Sequence, residues 1–254
     1  MSENLLANIR IVLVEPAGAL NLGSIARVMK NMGLTNLVLV NPRCDRHDES
    51  ARIMAVHAAD VLENAVVVDS LPQALAGCQR AIATTVRSRS VPINLEPPTK
   101  ALPWLLTPNV RSALMFGAED RGLSNDELKY AQKFVCVQSN PDYPSLNLAQ
   151  AVAICAYELY QAWLKISDRP AQTIVSPLQL EEAVPANASI DVLEGYYQHL
   201  EHVLLEIGYL QPHTAPVKME KFRRLYNKAN LQPEEVAMLR GILRQVSWAI
   251  KNKS

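Results

Sequence analysis

Three short segments gather residues that can donate, accept or hold charge at fixed spacing. They are Asn21-Leu22-Gly23-Ser24-Ile25-Ala26-Arg27, then Phe116-Gly117-Ala118-Glu119-Asp120-Arg121-Gly122-Leu123, then Asn140-Pro141-Asp142-Tyr143-Pro144-Ser145-Leu146-Asn147-Leu148-Ala149. The Arg27 guanidinium is a permanent cation with five donors, suited to stabilising an oxyanion and unsuited to giving up a proton near neutral pH. Ser145 offers a hydroxyl, Glu119 a carboxylate, and Asn21 and Asn147 amides. Gly117 lets backbone approach a ligand. Each segment also has a plain explanation. Asn21 suits a helix N-cap and Arg27 a solvated surface, the second segment a strand-to-helix loop, and the third a proline-rich turn with a helix cap.

Other chemistries fit poorly. In the loop EPAGALNLGSIAR, Gly18 and Gly23 have P-loop spacing, but Ser24 stands where a phosphate-binding lysine belongs. No G-x-G-x-x-G follows a strand, and G-x-S-x-G and H-E-x-x-H are absent. His199 and His202 are three apart without a third ligand, which suits a solvated helix face better than a metal. Cys44, Cys78, Cys136 and Cys155 form no C-x-x-C pair, so buried free thiols are expected, with neither a zinc cluster nor a disulfide framework.

The three segments follow strands. Apolar runs at 9–14, 36–40, 65–68, 81–85, 113–116 and 134–137 are mostly continuous, as in strands buried on both faces. One helix opens near Asn21 and stops at Gly33, one follows Ser124, and one begins near Leu146 with Leu148, Val152, Cys155, Leu159 and Trp163 on one face. The fold class is α/β, a mostly parallel sheet with helices on both faces. Open sheets of this kind bind ligands at the carboxyl ends of their strands, where all three segments fall.

Residues 1–165 form this domain, 166–190 a linker broken by Pro170, Pro177 and Pro185, and 191–254 a small helical appendage. In the appendage, Leu193 to Ile207, Met219 to Tyr226 and Val236 to Ile250 mark three amphipathic helices, the third with Pro233 in its first turn. Net charge is zero, but residues 1–165 carry 15 basic and 15 acidic groups, 166–213 carry 1 and 7, and 214–254 carry 9 and 3. A neutral body thus ends in a basic tail. No run of apolar residues is long enough for a membrane span and no export signal opens the chain, so a cytoplasmic location is expected.

The pattern N-x-G-x-x-x-R, F-G-x-E-x-x-G-L and S-L-N-[LV]-[AS] resembles the signature motifs of the SPOUT methyltransferases, in the TrmH-like branch. NIRIVLVEP, ATTVRSR, KFRRLYNKAN and MLRGIL extend the resemblance to TrmJ-type tRNA 2′-O-methyltransferases over nearly the whole chain. The resemblance implies a trefoil-knotted domain, S-adenosylmethionine as methyl donor, no metal, a homodimer with shared sites, and tRNA as substrate, at cytidine or uridine 32 of the anticodon loop. Another tRNA site or rRNA is the alternative substrate. An inactive RNA-binding protein on this fold and an unrelated nucleotide-binding enzyme are the competing classes.

By residue match, Arg27, Ser145 and Asn21 are the implied catalytic residues. Arg27 stabilises the developing alkoxide, Asn21 holds its loop and Ser145 contacts the ribose or Arg27. Thr84, Thr85, Val86, Gly117, Val137, Ser145, Leu146 and Asn147 are the implied cofactor cleft, and Glu119 orders the loops. Arg87 and Arg89, with Lys221, Arg223 and Arg224 of the tail, are the implied RNA contacts. The family pattern has an arginine after the second-motif glycine, a substrate-side position where this chain has Ala118.

Overall fold

Runs of aliphatic residues with no polar alternation can be stable as strands only where both faces of a sheet are covered. In the computed structural model, which describes residues 5–86, 94–167 and 187–252, the centre of the sheet meets that condition. Strands β1 (Ile9–Val14) and β6 (Ser112–Phe116) are buried almost throughout, although successive side chains point to opposite faces. The chain passes through β1, α1 (Ala19–Asn31), β2 (Asn36–Val40), α2 (Glu49–Ala55), α3 (Ala59–Glu63), β3 (Val66–Val68), α4 (Leu71–Leu75) and β4 (Arg80–Thr84). It continues through β5 (Leu95–Glu96), α5 (Pro98–Ala101), β6, α6 (Asn125–Leu128), β7 (Lys133–Val135) and α7 (Leu148–Ser167).

The seven strands pair in the order β3-β2-β1-β6-β4-β7-β5, every pairing parallel. Val12 of β1 lies between Val38 of β2 and Met115 of β6, which fixes the central register. Two expectations need correction at the margins. The run at 65–68 is an edge strand whose Val66 and Val67 are exposed. The run at 134–137 leaves the sheet after Val135, and β5, too short for any periodicity, adds an unforeseen outer strand.

Helix α1 opens at the N-cap Gly18, so Asn21 lies within its first turn and is not the cap expected of it. It closes just before Gly33, whose φ of +68° is the left-handed turn the sequence anticipates, and Leu34 N–H returns to the Met29 carbonyl at 2.9 Å. Ser124 and Glu127 form a reciprocal capping box on α6. In α7 the apolar row Leu148, Val152, Cys155 and Leu159 is buried against the aliphatic core with Ile25 and Met29 of α1. Burial pushes the Cys155 thiol up to about 12, and all four cysteines are free.

The described residues divide into two compact units, the second holding 76–79 and 187–252. In it, α8 (Ile190–Glu206), α9 (Ala215–Ala229) and α10 (Pro233–Lys251) enclose a core of Tyr196, Tyr197, Leu200, Val203, Met219, Val236 and Leu243. Arg87, Arg89 and the three prolines of the expected linker lie outside the described residues. No helix among the described residues is long and apolar enough to cross a membrane.

One close approach fixes the packing of α1. A Cβ built on Gly23 would stand 2.1 Å from the Ala51 carbonyl oxygen and 2.8 Å from Met54 Cβ, both on α2. Alanine gains about 1 kcal/mol of helix propensity over glycine, whereas overpacking against backbone costs about 1–3 kcal/mol or more. Gly23→Ala is therefore expected to lower the urea midpoint. Gly195→Ala, on α8, meets only an arginine nitrogen at 3.7 Å and is expected to raise it slightly. An unchanged or higher midpoint for Gly23→Ala removes the close approach as a constraint.

Candidate functional site

The N-terminus of a helix presents unpaired backbone N–H groups and a partial positive charge, which a carboxylate can satisfy. At α1 that carboxylate comes from the distant loop after β6. Glu119 Oε2 accepts from Ala17 N–H at 3.0 Å, and Oε1 accepts from Gly18 N–H at 3.1 Å and from the Asn21 side-chain amide at 3.1 Å. The Asn21 oxygen accepts from Asn147 Nδ2 at 3.0 Å, and the Asn147 oxygen caps α7 through the N–H groups of Ala149 (2.9 Å) and Gln150 (3.3 Å). One polar chain thus joins all three segments. Burial opposes ionisation of Glu119, but the hydrogen bonds from Ala17, Asn21 and Gly18 outweigh it and hold its pKa below the usual carboxylate range.

Beside this chain, at the carboxyl ends of β4, β6 and β7, lies a cleft of about 830 Å³ including its open mouth. Thr84, Thr85 and Val86 line one wall, Phe116 to Leu123 the floor, and Val137, Ser145, Leu146 and Leu148 the other wall. Thr84 Oγ1 donates to the Met115 carbonyl at 2.9 Å, and Thr85 N–H continues the ladder to Val135 at 2.9 Å. The third segment is folded by its own side chains. Asn140 accepts from Asp142 N–H at 3.0 Å and Ser139 donates to the Pro144 carbonyl at 2.9 Å, which delivers Ser145 to the rim.

The loop after β6 is closed on itself. Gly122 N–H donates to the Ala118 carbonyl at 2.8 Å, and a Cβ on Gly117 would stand 2.1 Å from the Gly122 carbonyl carbon. Gly117 is therefore required by the loop's own closure, a stronger constraint than the ligand approach expected of it. Ala118 is buried in this turn. Two arginines brace the loop from outside. Arg121 pairs bidentately with Glu127 (2.9 Å each) and also with Glu15 (3.1 Å). Arg43 pairs bidentately with Asp120 (3.0 Å each) and donates to the Glu15 carbonyl at 3.2 Å. Nothing in the local sequence marks Arg43, whose partner lies 77 residues away.

Of the expected cofactor residues, Thr84, Thr85, Val86, Gly117, Val137, Ser145 and Leu146 line one cleft. Asn147 does not; its side chain is committed to Asn21 and to the end of α7. Arg27 is exposed, lies roughly 9 Å along α1 from Asn21 by helix rise, and does not line the cleft of its own chain. Of the apolar residues beside Arg27 on α1, Ile25 and Met29 are core, and Val28 and Met32 are half-buried against it.

In the tail, Lys221 and Arg224 are exposed, but Arg223 requires correction as an RNA contact. It pairs bidentately with Glu194 of α8, stacks 4.6 Å above the Tyr197 ring, and is only 13% exposed. Its charge is spent inside the helical unit. His199 and His202 join no metal-binding group among the described residues.

Comparison with known proteins follows the same division. The family described as SpoU rRNA Methylase matches residues 8–157, and the domain described as tRNA methyltransferase TrmJ, C-terminal domain, matches residues 191–254. A Cronobacter sakazakii protein named tRNA (cytidine/uridine-2'-O-)-methyltransferase TrmJ is 43% identical over 251 residues, 98% of this chain and 100% of that one. The crystal structure of TrmJ from Z. mobilis aligns with a TM-score of 0.79 at 32% identity, covering 94% of this chain and 98% of that one. A probable methylase family protein from Haemophilus influenzae aligns at 0.61 and 33% identity, over 98% and 100%.

The Glu119 junction has a measurable pH signature. A carboxylate whose pKa is lowered on folding stabilises the fold above its unfolded pKa, and that contribution is lost as pH falls through the folded pKa. Glu119→Gln is expected to cost about 1 kcal/mol at pH 7, below the ~1.5–3 kcal/mol of a shielded hydrogen bond to a charged group because solvent reaches this one. The gap from the parent should narrow on acidification below about pH 4, as urea midpoints would record. Equal midpoints at pH 7 would deny Glu119 its role at the junction.

Proposed function

The chain belongs to the SpoU methylase family and to its TrmJ group, and from that premise we propose that it methylates a ribose 2′-oxygen of tRNA, with S-adenosylmethionine as donor. The observation that carries this reading is the cleft at the carboxyl ends of β4, β6 and β7, whose walls are held by a polar chain running through all three motif segments. Val86, Leu123, Val137 and Leu146 would offer apolar walls for an adenine and a thioether chain, and the carboxylates of Glu119 and Asp120, each already engaged by the protein's own donors, would add negative charge to a lining that suits a cationic donor. When bound, S-adenosylmethionine supplies a methyl group already activated by positive charge.

The protein's share of the work is orientation and electrostatics. Ser145 holds the ribose or Arg27, a role supported by its position on the cleft rim. Arg27 stabilises the oxygen as its proton leaves, and acts as a fixed cation instead of a base because a guanidinium keeps its proton. Since Arg27 does not line the cleft of its own chain, we assign it to the cleft of a partner subunit in a two-fold homodimer. Exposed apolar residues on α1 and α7, Leu20, Ile154 and Tyr157, support that surface. Cytidine or uridine 32 of the anticodon loop is the acceptor implied by the resemblance, in cytoplasmic tRNA. The matched C-terminal domain favours tRNA over rRNA.

The test is transfer of labelled methyl to unmodified bulk tRNA, with the product nucleotide mapped by mass spectrometry. Label found only in rRNA, or in neither, overturns the reading. Arg27→Ala is expected to slow transfer about a hundred- to a thousandfold while calorimetry shows the donor still binding. Mixed dimers of Arg27→Ala chains with cleft-blocked Leu146→Trp chains, each inactive alone, should regain activity. Verified mixed dimers that stay inactive place Arg27 in its own chain's site.

A further inference from the structure

The basic tail splits into two kinds of cation. Arg223 is neutralised internally, but one face of α10 carries Arg240, Arg244 and Lys251, with one carboxylate beside them: Glu206 of α8 accepts from the Ser247 hydroxyl at 3.4 Å. Arg240, Arg244 and Trp248 recur every fourth residue and Lys251 follows three later, so all four share a ridge. All four are exposed, Trp248 by 60%. Among the described residues none of the three cations has an ion-pair partner. Arg240 extends toward α8, its Nη1 lying 3.7 Å from where a Cβ on Gly195 would be. There it meets His199, whose Nδ1 is buried without a hydrogen-bond partner. Burial, and then the positive charges of Arg240, Arg244 and His202, hold His199 below its ordinary pKa.

We propose that the ridge Arg240-Arg244-Trp248-Lys251 docks an unpaired stretch of the substrate RNA. The indole stacks on a base and the cations meet the flanking phosphates. An exposed aromatic among cations suits a single strand, whose bases are free to stack, and suits a duplex poorly, because its base faces are covered. The neighbouring exposed Met238 and Ile242 raise the alternative of a second protein chain. A two-fold contact of this ridge with itself would set like charges against each other, which argues for a polyanion. The inference rests on the reading of RNA as substrate but not on which nucleotide is modified.

The experiment uses the full chain with three probes: an unmodified tRNA transcript, a single-stranded oligouridylate, and an RNA duplex. Trp248→Ala is expected to weaken binding of the first two about tenfold and of the duplex much less, with Trp248→Phe restoring most of the loss. Arg240→Gln with Arg244→Gln should flatten the plot of log affinity against log salt by about 1.4 for a single strand. If both sets of variants bind all probes like the parent while methyl transfer by the parent is intact, the ridge is not the docking surface and the enzymatic reading stands. Failure of the parent to methylate tRNA overturns the enzymatic reading, and the RNA affinities of parent and variants still decide the ridge. Altered sedimentation of Trp248→Ala with unchanged RNA affinity would make the ridge a protein interface and overturn the proposal. If Trp248→Ala does not fold, Trp248→Phe and the double arginine variant decide.

Discussion

A single carboxylate sets the geometry of the catalytic unit. Glu119 supplies hydrogen bonds that α1 cannot make for itself, and it reaches them across 98 to 102 residues of chain. Its own position is fixed by the closed turn from Gly117 to Gly122, so the loop after β6 is at once a floor for the cleft and a cap for α1. Asn21 extends the same logic. Instead of capping its own helix, it passes the connection on to Asn147, which caps α7. Such junctions are rigid because each polar group has its partner; removing one leaves another exposed to desolvation without return.

Strain sits next to this junction. Glu15 and Asn41 follow β1 and β2 and each takes a positive φ, +49° and +44°; asparagine accepts this region readily, but at Glu15 it costs about 1–2 kcal/mol. Both continue the ladder for one further hydrogen bond before the chain turns away, Glu15 to Val40 at 2.8 Å and Asn41 to Val68 at 3.0 Å. Glu15 is then gripped at both ends, its carbonyl by Arg43 and its carboxylate by Arg121. The bidentate pairs of Arg43 and Arg121 are half-exposed and individually weak, yet together they hold a strained loop against the rim of the cleft.

The sequence revealed whatever repeats along the chain. Continuous aliphatic runs gave the central strands, and helical spacing gave α1, α7 and the three helices of the second unit. Strand β5 escaped because two residues carry no period. The site divides in the same manner. Thr84 to Val86 and Ser145 with Leu146, which the resemblance singles out, line one cleft. The roles of Asn21 and Asn147 were not legible, because an asparagine at a helix start reads as a cap whatever its side chain does. Arg223 and Arg224 are adjacent and alike in sequence; Glu194, on another helix, is what turns one inward. Long-range partners of this kind leave no local trace.

The strand order has a consequence in time. A ribosome delivers β1 and β4 before β6, yet β6 is the strand that lies between them. At about 5–20 residues per second, Asn21 waits roughly 6–25 s for Asn147, 126 residues later. Until β6 emerges, β1 has one unpaired edge and β4 has no strand partner at all, and both strands are largely aliphatic. Such edges are what chaperones bind and what aggregation joins. The chain is thus most vulnerable midway through its own synthesis, and a pause placed before β6 would harm its yield more than one placed after α7.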